Sequence, residues 1–260
     1  YTSGIKEEIY QDVKAYLTGQ DASSRGLKEW GRNCNERYVD IMSQDGLKEC
    51  NCDNCRNATA AAKAVNPKLW GRDVVWQMTA DVASRLQKEG IEGTVVQMSY
   101  GAYNCVPPVD LPTNVQVQVA KMGPWVMDYP EIAARHDAVI ENWVKKLGHK
   151  VWLWNYLHSQ TANHPHLAGI PHVTPHHWGE YYKRQYKNIF GAFAESESLR
   201  FSYNYLNYYV YSRVLWDEKT DIDVVLDEHH RLMFGAAAPE MKQLFEELEG
   251  KWCGEVIGKP

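Results

Sequence analysis

No stretch of this 260-residue chain approaches the roughly 20 consecutive apolar residues that a membrane-spanning helix requires. Long runs of Lys and Arg are missing too, and the formal net charge is -5. That argues against nucleic acid as a partner, because a phosphate backbone calls for clustered cations. No internal repeat and no low-complexity tract occurs. Phenylalanine is scarce, 5 residues against 10 Trp and 16 Tyr. The aromatic content is therefore mostly polar-tipped, with flat apolar faces and hydrogen-bonding edges that suit stacking on sugar rings. The same residues also serve ordinary packing, and composition does not choose between the two. With 44% hydrophobic and 23% charged residues, the chain has the make-up of a globular protein.

Periodicity supplies an α/β pattern. Ile5, Ile9, Val13 and Leu17 recur four apart and predict an amphipathic helix over 5–17. A polar stretch leads to Glu36, and a strand is expected over about 37–43. Residues 60–89 read as one or two helices broken near Pro67. TVVQMSY and NVQVQVAK follow as strands, the second by strict alternation. A helix over 131–146, closed by Gly148, precedes the strand KVWLWNY. Another helix runs from Thr174 or Pro175 to Tyr186, and NIFGAFAE is the fifth strand. From Leu199 onward the pattern is helical, with breaks at Gly235 and Pro239.

Strands separated mostly by helices imply a parallel sheet, in either a doubly wound arrangement or a (β/α)8 TIM-type barrel. Each strand ends in polar or aromatic residues: Gln44 and Asp45, Tyr100, Lys121, Asn155 and Tyr156, Glu195. In a barrel these ends share one mouth. Only about five strands are evident, so the expectation is a barrel portion over 1–198 whose first strands lie ahead of Tyr1 or come from a second chain. C-terminal helices over 199–260 would pack on it.

Asp45 and Glu195 are the candidate catalytic pair. Glycoside hydrolysis commonly uses two carboxyl groups, about 5 to 5.5 Å apart for retention and about 6.5 to 9.5 Å for inversion. The plainer alternatives are that Asp45 caps a turn before Gly46 and that Glu195 sits at the start of the next helix. Tyr100, Trp154, Asn155, Tyr156 and Lys121 are candidates for sugar binding. Trp154 and Tyr156 share one face of their strand and Asn155 points the other way, so only one set can face the interior. Cys50, Cys52 and Cys55 have the spacing of a thiolate knuckle for a structural zinc, with Cys34 or a loop His as a fourth ligand; disulfides are an equal alternative. His158, His164, His166, His172, His176 and His177 crowd one Pro-punctuated region without the HExxH frame. Tyr203, Tyr205, Tyr208, Tyr209 and Tyr211 spread around the helix after Glu195.

The strings SQDGLKECNCDNCR, SYGAYNCVPP, NVQVQVAKMG and VWLWNY, with the long closing segment that begins FAESESLRF, resemble a large family of bacterial carbohydrate-active proteins long labelled a domain of unknown function. The resemblance spans roughly residues 37–249 and is most specific in its closing segment. One branch of that family looks like endo-β-N-acetylglucosaminidases that cut N-glycans, and its fold is similar to the barrels of α-glucuronidases and hexosaminidases. The resemblance implies a (β/α)8-type glycoside hydrolase, in the periplasm, at the cell surface or secreted, whose partner is an oligosaccharide or a glycoprotein glycan and whose chemistry requires no cofactor. Many relatives carry Asp where Asn155 stands, so the fourth strand is not expected to supply an acid here. The rival expectations are a glycan-binding or incomplete barrel module without catalysis, and an uronidase-like glycosidase.

Overall fold

The computed structural model describes residues 3–127, 129–156, 173–195 and 201–253. The four-residue stripe forms α1, Ser3–Leu17. β1, Cys34–Asn35, turns through Glu36, whose φ is 51°, into β2, Tyr38–Asp40. Two helices follow, α2 over Asp53–Val65 and α3 over Arg72–Lys88. The side chain of Asn66, accepting from the Lys68 N–H, and Pro67 separate them. β3 is Thr94–Ser99 and β4 is Val115–Lys121. Then come α4, Pro130–Leu147, β5, Val151–Tyr156, α5, Pro175–Gln185, and β6, Ile189–Glu195. Helices α6, Phe201–Trp216, α7, Ile222–Phe234, and α8, Ala238–Lys251, complete the described chain.

The fold is α/β, with six strands in one sheet in chain order. β2, β3 and β4 pair in parallel, whereas β1 is antiparallel to β2. The additional strand relative to the sequence reading is β1, a two-residue element drawn from a polar stretch. Among the described residues the sheet has six strands rather than the eight of a closed barrel. The expected boundary at 198 falls within 196–200, outside the described residues. The chain divides into two compact units, Tyr1–Ala120 with Val139–Trp152, and Lys121–Ala138 with Leu153–Pro260.

In the first unit the core is built around two indoles. Trp76 and Trp143 have no exposed surface and lie 4.6 Å apart, ring centre to ring centre. Each satisfies its N–H, Trp76 on the Tyr103 carbonyl at 3.0 Å and Trp143 on the Ser99 hydroxyl at 3.1 Å, as a buried indole must. α1 presents Tyr10 and Val13 to the core. The Arg85 guanidinium stacks 3.4 Å above the Tyr10 ring while also pairing with Glu7 at 2.7 Å. Ile5 and Ile9 line an open groove.

The second unit buries Trp178, Tyr181 and Tyr182 of α5 against α6, with Leu206, Val210 and Val214. Asn207 of α6 accepts the Thr174 backbone N–H at 2.9 Å and so satisfies a donor at the start of α5. The tyrosines of α6 divide by face: Tyr208 and Tyr211 meet Trp178, while Tyr205 and Tyr209 meet His229. Nothing is described for the Tyr203 side chain.

Candidate active site

Strand alternation decides what β5 offers to each side. Val151, Leu153 and Asn155 are buried, whereas Trp152, Trp154 and Tyr156 are exposed or half-buried. Asn155, expected to contact sugar, has no exposed surface. Its Nδ2 donates to the Lys121 carbonyl at 3.0 Å and to the Trp154 carbonyl at 3.3 Å, and its Oδ1 accepts from the Tyr182 hydroxyl at 2.9 Å. The amide is used on both sides, which fits a brace better than a ligand.

Room for this amide depends on Gly123. Its φ is 74°, and a Cβ built there would lie 2.9 Å from both Cβ and Cγ of Asn155, so both conformation and space require glycine. Burial holds the Tyr182 phenol well above its ordinary pKa, and it stays a donor. The Tyr182 ring rests 4.9 Å from Tyr211, whose hydroxyl donates to the Ala192 carbonyl of β6. One amide and two phenols thereby tie together the ends of β4, β5 and β6.

On the other face, Trp154 Nε1 donates to Glu195 Oε2 at 3.0 Å. The Trp154 ring lies 4.2 Å from that of Phe193, tilted by 41°. Phe193 and Glu195 are two apart on β6 and so share a side, which brings a carboxylate and two aromatic faces together. Phe193 is 45% exposed, and Glu195 is half-buried. The hydrogen bond fixes where the carboxyl group points. Lys121 is half-buried near His136, whose pKa falls to about 4, chiefly through burial and then through the positive charges of Lys121 and Arg135. Such an arrangement can stack on the apolar face of a sugar while presenting a carboxyl group to it.

Asp45 and Tyr100 belong to the first unit, whereas Glu195, Trp154, Asn155, Tyr156 and Lys121 belong to the second. β2 ends at Asp40 rather than near residue 43. Asp45 stands exposed in a turn with Gly46, whose φ is 72°. The carboxylate at the strand end proper is Asp40, which accepts the Met42 N–H at 2.8 Å and whose pKa is raised by burial. It lines an open, mostly apolar groove of about 500 Å³ with Val13, Trp30, Ile41 and Leu47. Tyr100 follows β3 directly and is half-buried, its carbonyl accepting the Tyr103 N–H at 3.0 Å.

Cys50, Cys52 and Cys55 hold their sulfurs within 4.8 Å of one another, a cluster able to hold a metal ion. Cys52 is the N-cap of α2, and its thiol is drawn down to about 7 by the Cys55 backbone N–H, then by hydrogen bonds with Cys50 and Cys55. Among the described residues no fourth Cys, His, Asp or Glu joins this group, so the expected partner Cys34 is not part of it. His158, His164, His166 and His172 lie outside the described residues. His176 is clamped between Glu249 at 2.6 Å and Asp223 at 3.0 Å, and His177 lies against Cys253.

Sequence reasoning missed Phe193, Asp40, Gly123 and Tyr182. Phe193 was within reach, since alternation in GAFAE puts it beside Glu195. Nothing local marked Gly123 or Tyr182, because their roles arise from the approach of distant segments. The chain matches the family described as Domain of unknown function (DUF4838) over residues 22–246. Comparison with curated proteins and with solved structures returned no match.

Proposed function

The chain belongs to the DUF4838 family, and we propose that it is a glycoside hydrolase of N-acetylhexosamine-containing glycans, with endo-β-N-acetylglucosaminidase action on N-glycans as the specific form. The observation that carries this reading is the Glu195 carboxylate held at 3.0 Å by the Trp154 indole beside the Trp154 and Phe193 rings. In this reading the rings stack on the sugar, and Glu195 protonates the leaving glycosidic oxygen as the bond to the anomeric carbon breaks. A 2-acetamido group on the substrate would supply the nucleophile from its own carbonyl oxygen, and water would later open the resulting ring. Asp45 is the second carboxylate of the reading. Asn155 acts from behind the strand, as a positioning residue for Trp154.

The reading carries with it a (β/α)8 architecture and export to the periplasm or cell surface. It needs no cofactor for the chemistry, and it gives the three clustered thiols a structural part, bracing the loop after Asp45. A second reading, a glycan-binding module without catalysis, draws on the 41% exposure of Trp152 and the 57% exposure of Phe190.

Mass spectrometry of products released from N-glycoproteins and uronic-acid oligosaccharides tests both readings. Release that falls by about 10²- to 10⁴-fold in Glu195→Gln, the range for loss of a general acid, supports the hydrolase; Asp45→Asn run alongside decides whether that residue takes part. Glycan binding that is lost in Trp154→Ala, with no release by the parent chain, favours the binding module.

A further inference from the structure

Three sulfurs, rather than two, converge ahead of α2. The group mixes segments: Cys50 belongs to the loop between β2 and α2, Cys52 caps the helix and Cys55 lies in its first turn. In a tetrahedral zinc site with Zn–S bonds of roughly 2.3 Å, sulfurs stand about 3.8 Å apart. Separations within 4.8 Å therefore need only small side-chain adjustments to meet that geometry. A disulfide would use two of these sulfurs and leave the third without a part.

The loop that carries Cys50 has no regular secondary structure from residue 41 to 51, yet it forms a wall of the groove. Ile41, Met42, Leu47, Lys48 and Cys50 all line it. Its attachment to α2 runs through Glu49, which pairs with Lys63 and accepts from the Thr59 hydroxyl at 3.3 Å. A bond from Cys50 to an ion shared with Cys52 and Cys55 would fasten this wall to the helix a second time.

We infer that Cys50, Cys52 and Cys55 form a site for one zinc ion, with a water or an exogenous donor as fourth ligand, and that occupancy sets the order of the groove wall over residues 41–52. Binding converts the coordinated thiols to thiolates and releases their protons to solvent; no oxidant or reductant takes part. The inference is independent of the glycosidase reading, since no step of it involves Glu195 or turnover.

The test uses the whole chain, reduced and stripped of metal under anaerobic conditions, and titrated with cobalt(II) and then zinc(II). One equivalent of cobalt giving sulfur-to-metal charge-transfer absorption, displaced by zinc, is the expected result. Cys50→Ser, Cys52→Ser and Cys55→Ser should each weaken uptake by more than the roughly 10- to 100-fold that loss of a mere outer-sphere partner brings, with Cys105→Ser unchanged. Amide hydrogen exchange over 41–56 should slow on adding zinc. Absence of the charge-transfer band after full reduction, or uptake indifferent to the three substitutions, overturns the site; bound zinc with unaltered exchange over 41–52 overturns the coupling to the groove. Circular dichroism of each variant separates loss of a ligand from loss of fold.

Discussion

The two units bury their polar atoms by different means. In the first, Trp76 and Trp143 supply large apolar surfaces and need one acceptor each. In the second, Asn155, Tyr182 and Tyr211 form a line behind the strands, Asn155 and Tyr182 joined by a hydrogen bond, Tyr182 and Tyr211 by an edge-on ring contact, and Tyr211 bonded in turn to the Ala192 carbonyl. The first arrangement coexists with a nearby open groove, whose lining includes the buried Val13, Val39 and Met78. The second fixes side-chain positions closely, since an unmet donor in the interior costs about 1–3 kcal/mol.

Substitutions can break this contrast. Trp143→Ala should be the most damaging, at about 3–5 kcal/mol by urea denaturation, because it removes a fully buried indole and leaves a cavity. Asn155→Ala should cost about 2–4 kcal/mol, mostly through the unpaired Tyr182 hydroxyl and Lys121 carbonyl. Tyr182→Phe removes one donor and keeps the ring, so about 1 kcal/mol is expected. If Tyr182→Phe proved as harmful as Trp143→Ala, the line would be acting as a cooperative network rather than as separate bonds.

A smaller effect, confined to the second unit, should appear with pH. His176 has its pKa raised from 6.5 to about 9 by the hydrogen bond with Glu249, assisted by Asp223 and opposed by burial. Its folded value lies above its unfolded one, so the stabilisation is complete below about 6.5 and fades as pH rises through about 9. The imidazole is 39% exposed, and solvent screening keeps the effect modest. Thermal melting should therefore show a shallow decline between those pH values, and His176→Ala should flatten it.

Much of the sheet was legible because its strands obey simple periods. The alternation of VWLWNY correctly set Trp154 and Tyr156 opposite Asn155. Which set faced inward was not readable, because that depends on α5 covering one side with Tyr182. Ile41 and Met42 extended the apparent strand beyond Asp40: the Ile41 N–H still donates to the Val96 carbonyl of β3 at 3.0 Å, and both side chains line the groove. Ile5 and Ile9 line the same groove: their spacing is helical, as α1 shows, and the stripe they begin runs on into the buried Val13. β1 escaped notice since two polar-flanked residues carry no period, and its pairing depends on the turn at Glu36.

The close approach of Gly123 to Asn155 reaches beyond this one chain. Because the amide occupies the space where a side chain at 123 would stand, the two positions are coupled in descent. A lineage that keeps any residue other than glycine at 155 must retain glycine at 123, because the Cβ of residue 155 alone already fills the space. Freedom at 123 can open only after 155 has itself become glycine, and even then the left-handed backbone restricts which residues can enter. Aligned relatives should show these two sites changing together, in that order.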